Sequence, residues 1–157
     1  MDADNNISFR PGSIADVEAI YRLNQDVFSE HWSRASLYSS LESGYDVLLC
    51  ELNGDIIAYL LSLSVLDEIQ IMQIAVSEQH RRQGLASRMT DELIASATDM
   101  QSITLEVRAS NQAARACYTQ LGFQETGYRK HYYAPDASGC REDAVLMTKH
   151  LQGVNSS

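Results

Sequence analysis

Residues 81–86, which read Arg-Arg-Gln-Gly-Leu-Ala, have the composition and the position of a phosphate-binding loop. They stand between an apolar run over residues 69–76 and a helical pattern that begins near Gly84. Backbone N–H groups at the start of a helix have no partner within the helix, and the positive end of the helix dipole attracts anions. Gly84 lets the backbone approach a ligand closely, and Ala86 is small enough for the first helical turn to lie against it. The sequence therefore predicts a site for the pyrophosphate of an anionic cofactor.

The loop differs from the two most familiar phosphate-binding signatures. A Walker loop needs a second glycine followed by Lys and Ser or Thr, and a dinucleotide fingerprint needs three glycines. This segment holds one glycine and no lysine. One alternative stays open, in which the segment is only a helix start with two solvated arginines, Arg81 and Arg82.

The pattern that remains is Arg/Gln-x-x-Gly-x-Gly/Ala after a strand that ends in Ile-Ala-Val, and it resembles the acetyl-coenzyme A loop of the GNAT superfamily of N-acetyltransferases. The resemblance runs from about residue 7 to residue 147 and is densest from Leu66 onward. The segments that carry it most specifically are residues 105–111, 116–123, 128–133 and 141–144. Within the superfamily, the chain is similar to the bacterial enzymes that acetylate the N-terminal alanine of a ribosomal protein.

The resemblance implies a direct transfer, in which a free amine attacks the acetyl thioester of acetyl-CoA. Glu106 matches the general base of the family, and Tyr118 matches the general acid that protonates the departing thiolate. Both roles are chemically reasonable, because apolar neighbours in a strand desolvate a carboxylate and a neutral phenol can donate a proton to sulfur. Alternatives stay open: Glu106 could pair with Arg108 or another cation, and Tyr118 could be a core aromatic. Glu68 is a reserve base.

The resemblance also assigns residues to the cofactor and to the acceptor. The main chain of residues 74–76 and the Asn111 side chain would bind the pantetheine arm, although Asn111 can equally cap a helix. The residues expected to bind the cofactor are Ile74, Ala75, Val76, Arg81, Arg82, Gln83, Gly84, Leu85, Ala86, Ser87 and Asn111. Candidate walls of the peptide groove, each of which could equally be a packing residue, are Trp32, Tyr132 and Tyr133.

The acidity of amines favours one class of acceptor. An α-amine with a pKa of about 8 becomes neutral at pH 7 at a cost of about 1 kcal/mol, whereas a lysine costs roughly 4 to 5 kcal/mol. A modest base therefore suits a protein N-terminus, and the resemblance narrows the acceptor to the N-terminal alanine of a small-subunit ribosomal protein. A lysine or a small amine is the alternative acceptor, and a module that binds acetyl-CoA without turnover is the alternative from another class.

Alternating helical and strand patterns predict the frame that positions these residues. Strands are expected over residues 7–10, 46–52, 55–65, 68–76, 102–107, 124–132 and 142–150. Asn53-Gly54 predicts a two-residue hairpin turn, and helices are expected after Ser13, Ser33, Gly84 and Asn111. This order predicts an α/β (α+β) protein, a mixed sheet with helices on both faces, and the GNAT resemblance implies about seven mostly antiparallel strands.

The composition limits the remaining possibilities. The 157 residues fit one domain, and we expect a single acetyltransferase domain over residues 1–151 followed by a disordered tail over residues 152–157. A net charge of −9 disfavours nucleic-acid binding and favours a basic protein or peptide as partner, although the charge could serve solubility alone. The three cysteines and four histidines are too scattered for a metal site. An acidic start and the lack of a long apolar run predict a cytoplasmic protein that does not bind membranes.

Overall fold

The computed structural model describes residues 6–28 and 32–151 and, within them, seven strands and four α-helices. The strands are β1 (Ile7–Pro11), β2 (Asp46–Leu52), β3 (Asp55–Val65), β4 (Glu68–Val76), β5 (Ser102–Arg108), β6 (Gln124–Arg129) and β7 (Ala144–His150). The helices are α1 (Val17–Val27), α2 (Arg34–Glu42), α3 (Leu85–Ser96) and α4 (Gln112–Gln120). The tail expected over residues 152–157 lies outside the described ranges.

The strands form one mixed sheet in the order β1-β2-β3-β4-β5-β7-β6. β4 and β5 run parallel, as a strand-helix-strand crossover through α3 requires, and they pair over Glu68–Gln70 and Ser102–Thr104. The pairs β1-β2, β2-β3, β5-β7 and β6-β7 are antiparallel. The predicted fold class is therefore confirmed.

The described residues group into two compact units. Unit 1 consists of residues 6–63 and 72–97, and unit 2 consists of residues 64–71 and 98–151. Both β3 and β4 contribute residues to each unit. Unit 1 contains the predicted phosphate loop, whereas unit 2 contains Glu106 and Tyr118.

The core of unit 1 forms between α1, α2 and the strands. The buried residues of α1 recur at helical spacing, so that one face of the helix is apolar. The residues that make up this core are Val17, Ile20, Leu23, Leu37, Val47, Leu49, Tyr59, Leu61 and Ala75. The predicted caps are confirmed: Ser13 accepts the Ala15 N–H at the turn that precedes α1, and Ser33 accepts the Ser36 N–H at the start of α2.

A buried polar network crosses the core of unit 1. Asn24 is fully buried, and its amide nitrogen donates to the Tyr59 hydroxyl at 2.8 Å and to Gln73 Oε1 at 2.9 Å. The Tyr59 hydroxyl donates to the same Gln73 oxygen at 2.5 Å. The Asn24 side-chain oxygen accepts the backbone N–H of Trp32 at 2.8 Å. No fully buried side-chain nitrogen or oxygen of the described residues lacks a partner, which is what makes the burial of this set tolerable.

Unit 2 is built on the antiparallel trio β5, β7 and β6. β5 alternates between the buried residues Ile103, Leu105 and Val107 and the half-buried residues Ser102, Thr104, Glu106 and Arg108. The predicted caps of α4 are confirmed, because Asn111 Oδ1 accepts the Ala114 N–H at 3.1 Å and Gly122 follows the helix with φ of +97°. The Lys149 ammonium also donates to the Leu121 carbonyl at 2.6 Å, which attaches the end of α4 to β7.

The last hairpin is shorter than predicted. β6 ends at Arg129 rather than at residue 132, and β7 begins at Ala144 rather than at residue 142. His131 adopts φ of +52°, and its N–H donates to the Asp143 carboxylate instead of to a neighbouring strand. The next two N–H groups, of Tyr132 and Tyr133, both donate to one carbonyl, that of Glu142. These bonds replace the strand ladder with a turn.

None of the helices in the described ranges has the length and apolar character needed to cross a membrane.

The buried network gives a stability prediction. Tyr59→Phe should lower the free energy of unfolding by about 1–2 kcal/mol, because Asn24 and Gln73 each lose a partner that water cannot replace in the core. Urea unfolding measures the loss. Tyr38→Phe is the matched control, since the Tyr38 side chain is exposed, and its unfolding should be unchanged. Equal stability of the wild type and Tyr59→Phe would contradict the assignment.

Candidate active site

The predicted phosphate loop follows β4 and leads into α3 within unit 1. The Ser77 N–H donates to the Ile57 carbonyl at 2.8 Å, and the Ser77 hydroxyl contacts His80 Nδ1 at 2.5 Å, which fixes the short 3-10 turn at Glu78–His80. Arg81 Nε then donates to the Val76 carbonyl at 3.4 Å. The arginine thereby ties the loop back to the end of the strand.

The loop enters α3 through two residues in the left-handed region. Arg82 has φ of +64° and Gly84 has φ of +74°. A Cβ built on Gly84 would meet no protein atom within 4 Å, so glycine is favoured here by the backbone conformation rather than by crowding. Open space around Gly84 is also what a ligand seated on the backbone would need.

The N-terminus of α3 has no side-chain cap within the described part of the chain. Leu85 and Met89 are buried and hold the first turns against unit 1, while residues 81–84 are exposed. Ala86 and Ser87 are half-buried. The first N–H groups of the helix therefore have no intrahelical partner and follow an exposed loop, and they can bind an anion.

The strand residues expected to bind the pantetheine arm differ in burial. Ala75 is fully buried, whereas Ile74 and Val76 are half-buried. Their role toward the cofactor would be carried by main-chain groups. In unit 2, Asn111 uses its side-chain oxygen to cap α4, which leaves the amide nitrogen available as a donor.

Glu106 lies on the less buried face of β5, opposite Leu146 of β7. Its carboxylate is 26% exposed and forms an ion pair with Arg129 of β6, with 3.0 Å between Oε1 and Nε. The open alternative of a cationic partner is thus realised, and the partner is Arg129. Arg108 instead contacts Glu142, at 3.5 Å.

Tyr118 lies in the last turn of α4. The Tyr118 ring meets the Phe123 ring edge-on, with 5.7 Å between the centroids. The backbone carbonyl of Tyr118 accepts the Phe123 N–H at 3.0 Å. Burial raises the pKa of the Tyr118 phenol to about 12, and the adjacent Cys117 adds to the rise. The hydroxyl makes no hydrogen bond within the ranges that the structure describes. It is therefore a neutral phenol with a free donor at physiological pH.

Two of the three candidate groove residues are neighbours in unit 2. The rings of Tyr132 and Tyr133 meet edge-on, with centroids 5.2 Å apart, and Tyr132 is 49% exposed. Trp32 belongs to unit 1, where its half-buried side chain packs against the core and its backbone N–H donates to the Asn24 side chain.

The reserve base Glu68 pairs in register with Ser102 and accepts a hydrogen bond from Gln70. Four strand residues, or roughly 13 Å, separate Ser102 from Glu106.

The sequence analysis missed two charged residues beside Glu106. Arg129 provides its ion pair, and Glu142 accepts the Ser110 N–H at 2.6 Å. The Ser110 N–H and Arg108 hold the pKa of the Glu142 carboxyl below its usual value. Arg129 belongs to the run over residues 128–133 that carries the resemblance, but its partner depends on which strands are neighbours. The described residues include no group of three or more His, Cys, Asp or Glu that could hold a metal ion.

Comparisons with known proteins agree with these features. Residues 17–123 match the acetyltransferase (GNAT) family. The chain is 37% identical over 134 residues to the ribosomal protein bS18-alanine N-acetyltransferase of Escherichia coli K12, which covers 84% of this chain and 89% of that protein. It is 34% identical over 138 residues to the enzyme of the same name from Haemophilus influenzae, with 87% and 93% covered. The crystal structure of the Escherichia coli ribosomal-protein-S18-alanine N-acetyltransferase superposes with a TM-score of 0.85 at 33% identity, over 95% of this chain and 97% of that one.

Glu142 gives a pH-dependent prediction. Its folded-state pKa lies below the usual 4.5, so the charge of Glu142 stabilises the fold above that value, and the contribution is lost as the pH falls through the folded-state pKa. Glu142→Gln should therefore unfold at lower urea concentration than the wild type at pH 7, and the difference should close in acid. The control is Glu92→Gln, since Glu92 is exposed on α3 and makes no ion pair with any residue of the described ranges. A difference that stays constant with pH would contradict the role of the charge.

Proposed function

Because the chain belongs to the acetyltransferase (GNAT) family, we propose that it transfers an acetyl group from acetyl-CoA to the N-terminal alanine of a small-subunit ribosomal protein. The observation that carries the proposal is the 37% identity, over 84% of the chain, with an enzyme named for that reaction. The chain works as one acetyltransferase domain in this proposal. Its setting is the cytoplasm, and its partner is a basic protein N-terminus that the net charge of −9 attracts.

The cofactor is bound mainly by main-chain groups. The exposed N–H groups around Gly84 and the first turn of α3 bind the pyrophosphate, and Arg81 and Arg82 add positive charge from the same loop. Residues 74–76 offer main-chain groups to the pantetheine arm. The free amide nitrogen of Asn111 donates to that arm while the oxygen of the same side chain caps α4.

Glu106 acts as the general base. Its ionised carboxylate takes the proton from the acceptor ammonium, and the neutral nitrogen then attacks the thioester carbon. A new C–N bond forms, and the tetrahedral centre collapses by breaking the C–S bond, while the second proton that the nitrogen must lose passes to the departing thiolate. The position of Glu106 on the less buried face of β5 supports this role, because a base must meet a substrate that arrives from solvent.

Tyr118 stabilises the leaving group. Its pKa of about 12 keeps the phenol protonated throughout the working range of the enzyme, so the donor is always present. A coenzyme thiol with a pKa of about 8.5 leaves as a weaker base than the Tyr118 phenolate. The phenol therefore acts chiefly through a hydrogen bond to sulfur as negative charge develops there.

The acceptor peptide is bound by aromatic side chains. Tyr132 and Tyr133 offer two rings at right angles in unit 2, and the half-exposed Tyr132 is the more accessible. Within unit 1, Trp32 is the aromatic candidate for contact with the acceptor. Rings of this kind supply contact area at a low cost in side-chain entropy, which suits a short peptide with few other anchors.

Acetyl transfer to peptides tests the proposed acceptor. A peptide that begins with the alanine of the ribosomal protein should gain one acetyl group on its α-amine, because that amine loses its proton more readily than a lysine does. Mass spectrometry of the fragments locates the group. The control is the same peptide with a blocked N-terminus and its internal lysines free, which should remain unmodified. Acetylation of the blocked peptide alone would contradict the proposal and indicate a lysine acetyltransferase.

A further inference from the structure

Charged and aromatic side chains surround Glu106 in unit 2 and form what we term the Glu106 cluster. The cluster joins residues of β5, β6 and the turn between β6 and β7. Its members are Glu106, Arg108, Arg129, Tyr132, Tyr133 and Glu142. The proposed function uses Glu106 and the two tyrosines and leaves the arginines without a role.

Arg129 reaches Glu106 across a strand. The register runs from Glu106 of β5 to Leu146 of β7 and on to Gly127 of β6, two residues before Arg129. Gly127 has no side chain, so nothing projects from β6 at the position directly across from Leu146. The Arg129 side chain passes over the position of Gly127, and its Nε lies 3.0 Å from Glu106 Oε1. The Arg129 side chain is 56% exposed, compared with 26% for that of Glu106, so the arginine is the more solvent-accessible partner of the ion pair.

The two arginines of the cluster are arranged alike. Arg108 contacts the Glu142 carboxylate at 3.5 Å and stacks over the Tyr133 ring at 4.2 Å. Arg129 contacts the Glu106 carboxylate and lies 5.5 Å from the Tyr132 ring centre. Each guanidinium thus contacts a carboxylate and an aromatic face. Of the two arginines, Arg129 forms the ion pair with Glu106.

From this arrangement we propose that Arg129 is a positioning residue for acetyl transfer, which holds the Glu106 carboxylate in one orientation. The proposal rests on the proposed role of Glu106 as the base. The charge-assisted contact at 3.0 Å restricts the rotation of the Glu106 side chain, so that its carboxylate meets each acceptor in the same geometry. Arg129 itself does not exchange a proton, because a guanidinium stays charged at any pH at which the enzyme works.

The other groups near Glu106 differ from Arg129 in charge or in partner. β7 faces Glu106 with the uncharged Leu146. Arg108 follows on the same face of β5 and contacts the Glu142 carboxylate at 3.5 Å. Tyr133 is a neutral phenol whose pKa is raised by burial and by Glu106. On β4, Glu68 pairs in register with Ser102 rather than with Glu106, and it is itself acidic.

Separate values of kcat and KM for the alanine peptide test the proposal. We expect Arg129→Gln to lower kcat by about 3–10-fold and to leave KM unchanged, because a base that is no longer held in place meets the acceptor less often in the reactive geometry. Arg129→Lys keeps a cation and should restore most of kcat. Arg22→Gln is the matched control, since Arg22 also pairs with a glutamate on the surface, at 3.7 Å, and its kcat should equal that of the wild type.

Two outcomes would overturn the proposal. A wild-type kcat in Arg129→Gln, or a loss confined to KM, means that Arg129 does not position the base. Failure of lysine to restore kcat means that the charge is not what matters. Glu106→Gln separates this result from the proposed function: it should lower kcat far more than Arg129→Gln does, and a wild-type kcat in Glu106→Gln shows that Glu106 is not the base. Acetyl-CoA affinity, measured for every variant, should not change, because the cluster is outside the cofactor loop.

Discussion

An uncapped helix start, fixed by two left-handed residues, is the constraint on which the proposed chemistry depends. Arg82 and Gly84 turn the chain so that α3 begins directly after an exposed loop, and no side chain of the described residues caps its first N–H groups. A missing cap costs about 1 kcal/mol, and a non-glycine residue such as Arg82 in the left-handed region adds a similar cost. Burial of Leu85 and Met89 keeps the helix from shifting to relieve these two costs. An anionic cofactor would accept hydrogen bonds from the N–H groups that no protein side chain caps.

The two groups proposed for the chemistry lie in different surroundings. Glu106 is partly exposed beside a guanidinium, where a substrate that arrives from solvent can reach it. Tyr118 must stay protonated, and burial raises its pKa to about 12, because desolvation opposes the charged form of the phenol. The fold therefore leaves the Glu106 side chain accessible and keeps the Tyr118 phenol as a neutral hydrogen-bond donor.

Local signals allowed much of the fold to be predicted from the sequence. Ser13, Ser33 and Asn111 cap helices through bonds to residues two or three positions away, and Asn53-Gly54 forms its hairpin turn with positive φ at both residues. These features depend on a few adjacent residues, so a pattern is sufficient to find them. The overall fold followed because several such segments, each in the expected order, also matched a known family.

Contacts between distant strands could not be predicted in the same way. The sequence suggested Arg108 or another cation as a partner for Glu106, but it could not name Arg129, which the strand order β5-β7-β6 brings there. The end of β6 was misplaced for a related reason, since Asp143 and Glu142 capture the N–H groups of the turn from a different part of the chain. The roles of the site residues remain proposals, because they concern a cofactor and an acceptor that no sequence pattern positions.

The affinity of Gly84→Ala for acetyl-CoA tests most directly whether the start of α3 binds the cofactor. Gly54→Ala is the matched control, because Gly54 has a similar φ of +89°, equally open surroundings and a place in the same unit. Both variants should lose similar stability, about 1 kcal/mol, from strain in the left-handed region. Calorimetric titration should show affinity reduced about 10-fold or more in Gly84→Ala alone, as the loss of one charge-assisted hydrogen bond requires. Equal affinities in the two variants would contradict the account, since the cofactor would then be bound elsewhere.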